Sequence, residues 1–567
     1  MGNYGSNICL VDMMEKTKLS YLQIHPKDNV LVALRDLPVG FRVEFGAEQF
    51  ELVDAVAAKH KFTITKLAKD AEVYMYGVLV GKVNHDVDRG ALIDVNNLRH
   101  ASDDFRLGKR NLNWMKPDVS RYKDRTFLGF HRKNGQVGTA NYWLVIPLVF
   151  CESRNVATLK NALEEKLGYQ VESKDYADEV DLMISKFKQG ASVDELLNVD
   201  LSAAKDNKSR SRLFENVDGV KFLNHEMGCG GTRLDSDSLC GLLAGYITHP
   251  NVAGATVLSL GCQHAQASIL REEIQKRDPH FEKPLFIFEQ QLEGTEQGLM
   301  QKAIKATFAG LSIANQHTRK EASLDKLCIG LECGGSDGFS GISANPALGY
   351  VSDMLVSLGG SVILSEFPEL CGVEQELSDR CLDEATADRF MSLMKTYNAK
   401  AEADGSGFYM NPSPGNIRDG LITDAIKSAG AAKKGGTSPV VAVKDYPELA
   451  NGPGLNLLCT PGNDVESTTA EVGSGANIVL FTTGLGTPTG NPIAPVIKIS
   501  SNTQIYEKMN DIIDINCGTI IDGEETIEEA AHRILDYVIA VASGQQLAKA
   551  VVLGQDDFIP WRRGVSL

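Results

Sequence analysis

Short alternating runs of apolar and polar residues fill the first hundred positions of the chain. They read VLVALRD, FRVEFG, KFTITKLA, EVYMYGVLVGKV and GALIDV, and glycines or charged turns separate them. This period of two predicts a small all-β domain over residues 21–100, preceded by a tail of residues 1–20. Residues 101–125 are polar and lack periodicity, so we expect a linker there.

From about residue 126 the pattern changes to apolar strands that alternate with amphipathic helices. Residues 155–167 and 265–276 are predicted helices, and Thr526 with Glu529 forms a capping box for a last helix that Gly544 ends. Such alternation is typical of parallel α/β sheets. The fold class is therefore α/β, with a middle α/β domain over residues 126–268 and a C-terminal Rossmann-like parallel-sheet domain over residues 269–567.

Composition narrows the class of protein. The 567 residues have room for about three domains. No window approaches the ~20 apolar residues that span a bilayer, and the start of the chain lacks a secretory signal pattern. The net charge of −17 argues against nucleic acid and anionic membranes as partners. Eleven cysteines without a Cys-x-x-Cys pair suggest reduced thiols, so we expect a cytoplasmic protein.

Six apolar strands run directly into glycines and residues that can bind ligands. In open α/β sheets the ligand crevice lies outside the carboxyl ends of the strands. A single such turn is more often structural, but several together predict one metal or anion site. The turns contain His225 with Cys229, Cys262 with His264, Cys333 with Gly334–Asp337, Glu366 with Glu369, Asn463 with Asp464, and Gly484 with Gly486.

The side chains in these turns favour a metal site. His225, Cys229, Cys262 and Cys333 are the candidate ligands, and imidazole with thiolate suits Fe, Zn or Co, while carboxylates extend the range to Mn and Mg. A dinucleotide fingerprint is missing because Pro488 interrupts the helix that should follow Gly484. Cys262 precedes a predicted helix, which leaves a cysteine nucleophile as an alternative.

Long motifs resemble those of the altronate dehydratase/galactarate dehydratase family of sugar-acid hydro-lyases. They are NHEMGCGGT, LAGYITHPNVAGATVLSLGCQ, ECGGSDGFSGISANPALG, NPSPGN with AAKKGGTSP, TPGNDVES and FTTGLGTPTGNPIAPVIKISSNT. The resemblance implies an N-terminal SAF (β-clip) domain, a middle domain used in dimer contacts and a Rossmann-like C-terminal domain. It also implies a homodimer, a divalent metal (Fe²⁺, with Mn²⁺ as the alternative) and a small sugar acid as substrate.

The reaction implied by this resemblance converts an altronate-like aldonate to a 2-keto-3-deoxy acid. It removes the C2 proton and the C3 hydroxyl, so the site needs a base, an acid and stabilisation of an enediolate. The candidate acid–base residues are His225, His60, Glu366 and Lys434, although Lys434 and His60 also fit solvated surface positions. The expected substrate-binding residues are Gly334, Gly335, Ser336, Asp337, Asn345, Asn463, Asp464, Gly484 and Gly486.

Four positions depart from the family pattern. Asp94 and Asn96 stand where histidines are usual in the SAF domain, and Ala140 and Leu485 stand where arginines are usual. Because arginine clamps carboxylates, these changes favour an aldonate over the diacid galactarate. Three other functions remain open. They are an iron–sulfur hydro-lyase that uses Cys229, Cys262 and Cys333, a sulfo-lyase that acts on a sulfonated hydroxy acid, and a catalytically silent sugar-acid sensor.

Overall fold

A computed structural model describes residues 19–102, 105, 108, 110–169, 176–201 and 211–566. Most of the predicted N-terminal tail, residues 1–18, lies outside them. Over these ranges the chain forms an N-terminal β domain and two parallel α/β sheets, which confirms the predicted fold class. None of the helices in these ranges combines the length and apolar character needed to cross a membrane.

The N-terminal domain is built from short antiparallel strands whose apolar positions alternate inward, as the sequence pattern predicts. Strands β1, β2, β5 and β8 form one sheet, β6, β7 and β9 form a second, and β3 pairs with β4. Leu31 and Phe62 lie in its core. The strands are β1 (Tyr21–Leu22), β2 (Val30–Ala33), β3 (Arg42–Phe45), β4 (Glu48–Glu51), β5 (Lys61–Thr63), β6 (Glu72–Met75), β7 (Val78–Val83), β8 (Leu92–Ile93) and β9 (Leu98–Arg99).

The linker is anchored to the C-terminal part of the chain. A short 3₁₀ helix, Ser120–Tyr122, places Tyr122 in a fully buried position, where its ring stacks on His532. Arg121 and Arg125 both pair with Asp536. These contacts fix the path of a segment whose sequence has no periodicity.

The middle domain contains a four-stranded parallel sheet with the order β13-β12-β14-β15. The sheet continues beyond residue 268, where we predicted its domain to end, because the apolar run LFIFE forms β15 and pairs with β14. The elements are β10 (Thr126–His131), β11 (Val137–Gly138), β12 (Tyr142–Pro147), α1 (Ser153–Leu167), α2 (Ala177–Lys188), α3 (Val193–Leu197), β13 (Gly219–Phe222), α4 (Arg233–Thr248), β14 (Val252–Ser259), α5 (Ala267–Arg277), β15 (Leu285–Glu289), α6 (Gln290–Glu293), α7 (Glu296–Ala314) and β16 (Lys320–Ser323).

The C-terminal domain contains a seven-stranded parallel sheet with β19 and the short β23 at its edges and five buried strands between them. The strand order is β19-β20-β18-β17-β21-β22-β23. The elements are β17 (Cys328–Cys333), α8 (Ala344–Ser357), β18 (Ser361–Leu364), α9 (Glu374–Asp379), α10 (Glu384–Ala403), α11 (Pro414–Arg418), α12 (Asp424–Ala431), β19 (Val440–Lys444), β20 (Gly454–Leu458), α13 (Asp464–Gly473), β21 (Ile478–Thr483), β22 (Val496–Ser500), α14 (Thr503–Lys508), β23 (Ile515–Asn516), α15 (Gly518–Ile521), α16 (Ile527–Ala542) and α17 (Lys549–Val552).

The predicted helix ends can be compared with those observed. Helix α16 follows the predicted Thr526–Glu529 capping box, and Gly544 adopts a φ of +69° after its end. Helix α1 begins at Ser153, two residues earlier than predicted, because Asn155 is not its cap but donates from Nδ2 to Glu152 inside the fold. Helix α5 begins at Ala267 rather than at residue 265.

Candidate active site

The chain reverses its direction of travel across the C-terminal sheet between β17 and β21. Strand β17 leads to β18 on one side, whereas its other neighbour β21 leads to β22 on the opposite side. The turns that follow β17 and β21 therefore flank the switch point at the carboxyl edge of the sheet, where the ligand crevice usually lies in such sheets. Gly484 and Leu485 donate their backbone N–H groups to Gly335 O across this crevice.

A buried group of charged side chains lies at the ends of β17 and β18. Cys333 Sγ lies 3.4 Å from Glu366 Oε2 and 3.3 Å from Glu369 Oε2. Lys434 Nζ donates to Glu366 Oε2 at 2.9 Å, and Lys427 Nζ pairs with Glu369 Oε1 at 2.6 Å. All five residues are at most 9 % exposed. Two carboxylates and two ammonium groups thus pair with one another inside the fold.

The backbone at Glu366 is unusual and serves this arrangement. Glu366 adopts φ +60° and ψ +58°, a left-handed conformation that non-glycine residues rarely occupy. Its N–H donates to Thr460 Oγ1 at 2.8 Å, which fixes the turn to the end of β20. Such conformations cluster at functional sites because the surrounding structure must hold them. The turn brings Glu366 and Glu369 to the same side of the sheet edge.

Ion pairing sets the charge states of this group. Burial alone would raise the pKa of Glu369, but the ammonium groups of Lys427 and Lys434 outweigh it and lower the pKa. Burial opposes the charge of Lys434, yet the neighbouring acidic groups of Cys333 and Glu366 raise its pKa well above the usual value. Burial also raises the pKa of the Cys333 thiol. We therefore assign a carboxylate to Glu369, ammonium to both lysines and a neutral thiol to Cys333.

A second pair of carboxyl groups lies behind the first. Burial and the charge of Glu366 raise the pKa of Glu332 well above its usual value. Burial raises the pKa of Glu471 to about 8. A hydrogen bond from Ser365 Oγ at 2.8 Å acts in the opposite direction but does not cancel this effect. Burial and the nearby negative charge of Glu366 both disfavour ionisation of Glu332 and Glu471. We therefore assign the protonated form to these two groups at neutral pH.

Asp464 occupies the rim of the site at the start of α13 and is partly exposed. Burial, followed by the charges of Glu366 and Glu369, raises its pKa to about 7. Gly334 gives it room, because a Cβ on Gly334 would overlap Asp464 Oδ2 and would lie 2.6 Å from Phe481 Cζ. Asp464 is the described carboxyl group at this rim whose pKa matches the neutral range that a general base needs.

The β domain closes one side of the crevice through its Lys59–Lys61 loop. Lys59 Nζ lies 3.0 Å from Asp337 Oδ2 and 2.8 Å from Asp419 Oδ1. Lys61 Nζ donates to Gly420 O at 2.6 Å, and burial lowers its pKa to about 7. His60 Nε2 lies 3.1 Å from Arg418 O, and burial with the nearby Lys61 charge lowers the pKa of His60. His60 is therefore a neutral, partly exposed imidazole at the domain junction.

Arg418 lies beside Leu485, one of the positions where the family usually has arginine. A Cβ on Gly415 would lie 3.8 Å from Arg418 Nη2 and 3.9 Å from Leu485 Cδ1. Leu485 in turn packs next to Gly335, whose Cβ would lie 3.3 Å from Leu485 Cβ. Arg418 is exposed. The chain thus carries a guanidinium close to Leu485, at a different sequence position.

Several residues predicted to bind substrate have structural partners instead. Asp337 is fully buried and accepts hydrogen bonds from Ser501 Oγ at 2.7 Å and Asn502 Nδ2 at 3.0 Å. Asn345 accepts from Thr482 Oγ1 and donates to Gly430 O. Asn463 caps α13, and Ser336 O accepts from Asn416 Nδ2. The remaining predictions concern glycines of the crevice turns, namely Gly334, Gly335, Gly484 and Gly486.

The structure does not assemble the predicted metal set of His225, Cys229, Cys262 and Cys333. His225 is buried, its Nε2 lies 2.7 Å from Pro147 O, and its Nδ1 accepts from the N–H of Met227 at 3.1 Å. Burial lowers its pKa to about 4, so it is a neutral side chain that holds a turn. Cys229 and Cys262 are exposed on the middle sheet, whereas Cys333 is buried in the C-terminal sheet. Both ring nitrogens of His225 are occupied, which removes it as a base or a ligand in this state.

A different group fits a divalent metal. Within the described ranges, the His, Cys, Asp and Glu side chains whose ligand atoms lie within 4.8 Å of one another form one set of three, Cys333, Glu366 and Glu369. Glu366 Oε1 is buried and has no hydrogen-bond partner among described residues. The thiol and the carboxylate oxygens suit Fe²⁺, and carboxylates suit Mn²⁺. These residues therefore fit the metal that the family resemblance implies.

Sequence reasoning missed three polar residues of this site. Glu369 follows Glu366 in the same turn, so its signal was present although it was not selected. Lys427 lies in the middle of α12, and Asn411, which accepts from Lys427 Nζ at 2.8 Å, lies in a loop. A lysine within a helix carries no local sequence signal for function, whereas Asn411 opens the family motif NPSPGN but was not selected as a site residue. The tertiary fold alone brings them to Glu369.

Comparisons with known proteins agree with this organisation. Family models match residues 19–101 (Altronate/galactarate dehydratase SAF domain), residues 129–315 (D-galactarate dehydratase/Altronate hydrolase, second domain) and residues 324–566 (D-galactarate/Altronate dehydratase, C-terminal). The chain is 32 % identical to an altronate dehydratase of Bacillus subtilis, over 93 % of this chain and 95 % of the relative.

More distant relatives differ in the reaction that their names describe. A galactarate dehydratase (L-threo-forming) of Escherichia coli is 29 % identical over 93 % of both chains. A (2R)-sulfolactate sulfo-lyase subunit beta of Chromohalobacter salexigens is 26 % identical over 77 % of this chain and 97 % of the relative. From the three domain matches and the Bacillus relative, the chain belongs to the altronate/galactarate dehydratase family of hydro-lyases.

Proposed function

We propose that the protein dehydrates a sugar acid with one carboxylate, an altronate-like aldonate, to a 2-keto-3-deoxy acid. The observation that carries this proposal is the neutralised group of Cys333, Glu366, Glu369, Lys427 and Lys434 at the sheet switch point, with Asp464 on its rim. Dehydration next to a carboxylate needs a base near pKa 7, a protonated acid and a positive environment. The group offers the base and the acid, and a divalent metal held by Cys333, Glu366 and Glu369 would supply the positive charge.

Asp464 is our candidate for the base. Its carboxylate takes the C2 proton, and its pKa of about 7 leaves a substantial fraction ionised at neutral pH. Gly334 keeps the path to the carboxylate open, since any side chain there would overlap it. The partly exposed position lets substrate reach Asp464, in contrast to the buried Glu332 and Glu471.

Lys427 is our candidate for the acid. Burial opposes its charge, but Glu369 raises its pKa, so it holds a proton to donate to the departing C3 hydroxyl. Lys427 lies near the rim. Its partner Asn411 is next to the exposed Gly462, two residues before Asp464, because a Cβ on Gly462 would lie 3.6 Å from Asn411 Nδ2. Lys434 is more deeply buried and acts as a positioning residue, because its Nζ donates to Glu366 Oε2. Loss of water leaves an enol that tautomerises to the 2-keto acid.

Cys333, Glu366 and Glu369 would hold the divalent metal, Fe²⁺ or Mn²⁺. Bound there, the metal would supply Lewis-acid stabilisation of developing negative charge, worth on the order of several kcal/mol. Arg418 and His60 lie at the open side of the crevice, between the β domain and the C-terminal sheet. We assign Arg418 to the substrate carboxylate, because a guanidinium binds carboxylates in a bidentate manner.

The test is an anaerobic screen of aldonates and aldarates with Fe²⁺ or Mn²⁺, with detection of 2-keto acid. We expect turnover of an aldonate, its loss on chelation and its return with metal. Asp464→Asn and Glu369→Gln should be inactive, and the exposed Asp511→Asn is the matched control. No turnover of any sugar acid, or full activity without metal, would contradict the proposal.

A sulfonated 2-hydroxy acid is the second candidate substrate, and the sulfo-lyase relative is the observation that favours it. The same C2 proton abstraction could expel sulfite from C3 instead of hydroxide. Sulfite release from such a compound, without 2-keto-3-deoxy acid formation from sugar acids, would favour this alternative. Turnover of any substrate in the panel would also exclude the sensor function.

A further inference from the structure

Three exposed cysteines of the middle domain lie outside the site described above. Of the described cysteines, Cys151, Cys229 and Cys262 are exposed, while the other seven are buried or partly buried. Exposed thiols are uncommon, because free cysteine is among the most buried residue types. Among the described residues none hydrogen-bonds to these three thiols. Their shared exposure therefore needs an explanation.

All three follow the carboxyl ends of adjacent parallel strands. Cys151 comes after β12, Cys229 after β13 and Cys262 after β14, and these strands are neighbours in the order β13-β12-β14. Parallel neighbours end at the same edge of a sheet, so the three turns share that edge. Because the three cysteines come from turns far apart in the sequence, their spacing along the chain forms no recognisable metal-binding motif.

Backbone contacts join the three turns directly. The N–H of Phe150 donates to Met227 O at 3.0 Å, and the N–H of Ala265 donates to Gly228 O at 3.0 Å. Gly228 is pressed so closely against the first turn that a Cβ there would lie 2.5 Å from Leu148 O. Each cysteine is within three residues of one of these contacts. The Cys229 turn is thus bonded to the Cys151 turn on one side and to the Cys262 turn on the other.

The helix ends beside the three cysteines favour negative charge, although Glu289 Oε1 lies 2.9 Å from the position of a Cβ on Gly261. Helices α1, α4 and α5 begin at most five residues after Cys151, Cys229 and Cys262 respectively. The amino ends of helices carry partial positive charge and attract anions. The N–H groups of Cys229, Gly230 and Cys262 donate to no described residue, so they are available to sulfur. Such N–H groups are a usual feature around iron–sulfur clusters.

The spacing of the sulfur atoms distinguishes the kinds of metal site. The three sulfurs do not all lie within 4.8 Å of one another, since they form no such group in the described ranges. A single tetrahedral zinc with bonds of 2.3 Å would hold its sulfurs about 3.8 Å apart. A multi-iron cluster is larger and holds its cysteine sulfurs further apart. Because these sulfurs form no such close group among the described residues, the arrangement does not suit a single tetrahedral ion and is compatible with the larger multi-iron cluster.

We propose that Cys151, Cys229 and Cys262 bind a four-iron iron–sulfur cluster at the carboxyl edge of the middle sheet. This site replaces the sequence-based combination of Cys229 and Cys262 with Cys333, which lies in the other sheet. With three protein thiolates, one iron of the cluster is left without a protein ligand and is open to an oxygen ligand such as a hydroxy acid. The inference does not rest on the function proposed for the C-terminal site.

The test is anaerobic reconstitution of the full chain with ferric iron, sulfide and dithiothreitol, followed by desalting. We expect about four iron and four acid-labile sulfide per chain, a broad visible absorption band, and an EPR signal after reduction. A triple variant, Cys151→Ala with Cys229→Ala and Cys262→Ala, should retain neither sulfide nor the absorption band. Cys240→Ala, a buried cysteine of the same domain, and Cys333→Ala should both keep them.

A second measurement guards against misfolded variants. Alkylation of the reconstituted wild-type protein, mapped by mass spectrometry, should show Cys151, Cys229 and Cys262 protected, and chelation should expose them. Absence of labile sulfide in the reconstituted wild type, retention of the cluster by the triple variant, or its loss from Cys333→Ala would overturn the proposal. Asp464→Asn should lose turnover but keep the cluster, which separates this site from the proposed dehydratase site.

Discussion

Asp464, Glu369 and Glu471 are carboxyl groups of one site, and their surroundings shift their pKa values differently. Two lysines keep Glu369 ionised, burial keeps Glu471 protonated with a pKa of about 8, and Asp464 lies between them with a pKa of about 7. Desolvation and neighbouring charge, rather than residue type, decide which group can act as a base at neutral pH.

The position of Asp464 predicts the pH dependence of turnover. Burial raises its pKa from 3.8 to about 7, so the basic form is lost as pH falls through 7. We expect kcat/KM to rise with pH from about 5 to about 8 and then level off. Asp464→Asn should lower kcat by roughly 10²- to 10⁴-fold. A pH profile that is flat across this range would rule Asp464 out as the base.

Gly334 predicts a sharp steric effect. Gly334→Ala would place a methyl group against Asp464 Oδ2 and 2.6 Å from Phe481 Cζ, so Asp464 must move. Activity should fall by about 10²-fold, since small displacements of catalytic groups have effects of that size. The control is Gly452→Ala, whose nearest neighbouring atom would be 3.7 Å away. Equal activities of the two folded variants would contradict this role for Gly334.

At the residue scale, the sequence located part of the site. Glu366, Lys434, Cys333 and Asp464 were selected because they follow strands or lie in family motifs, and the structure places them together. His225 was selected on the same grounds, yet its ring serves the Pro147–Met227 turn. A strand-end pattern shows that a side chain lies at the sheet edge. It does not show whether neighbouring backbone groups already occupy that side chain.

At the scale of elements, the apolar patterns predicted both sheets, but not that the polar turns belong to two separate edges. Strands β12 to β14 end in the cysteine turns, whereas β17, β18 and β21 end around Glu366 and Asp464. Apolar periodicity identifies a strand without identifying its sheet. For the same reason the sequence did not show that β15, which lies beyond the predicted boundary at residue 268, pairs with β14 of the middle sheet.

The Lys59–Lys61 loop joins the β domain to the C-terminal domain and predicts a pH-dependent stability. Burial lowers the pKa of Lys61 from 10.5 to about 7, so between these values the unfolded chain binds more protons than the folded chain. The contribution of Lys61 to the free energy of unfolding therefore rises with pH by up to about 1.4 kcal/mol per pH unit between the two pKa values. Below pH 7 Lys61 is protonated in both states, and the destabilisation from burying its charge is at its maximum.

Thermal unfolding of wild type and Lys61→Met at about pH 7 and about pH 9 tests this sign, because other titrating groups cancel in the difference. We expect the Tm of wild type to rise relative to that of the variant at the higher pH. Lys69→Met, at an exposed lysine of the same domain, should show no such trend. A difference that does not change between these pH values would mean that Lys61 is charged in the folded protein.

At the scale of the whole molecule, an acidic protein must attract an anionic substrate. The chain carries −17, yet Lys59, Lys427, Lys434 and Arg418 surround the crevice. Carboxylates neutralise the lysines, whereas Arg418 has no side-chain partner among described residues. Ala140 is buried in the middle domain with 4 % exposure and adds no positive charge. One free guanidinium favours a substrate with one carboxylate.

This distribution of charge predicts how specificity responds to substitution. Leu485→Arg should place a second guanidinium beside Arg418 and raise the kcat/KM for a diacid relative to a monoacid by about tenfold, or roughly 1.4 kcal/mol of transition-state binding. Arg418→Ala should lower kcat/KM for the monoacid by a similar factor, mainly through KM, and weaken its dependence on ionic strength. Arg389→Ala, which removes an exposed pairing with Glu448, serves as the control. If wild type already prefers galactarate, or if Leu485→Arg leaves the diacid-to-monoacid ratio unchanged, the second carboxylate binds elsewhere and Leu485 does not set the substrate.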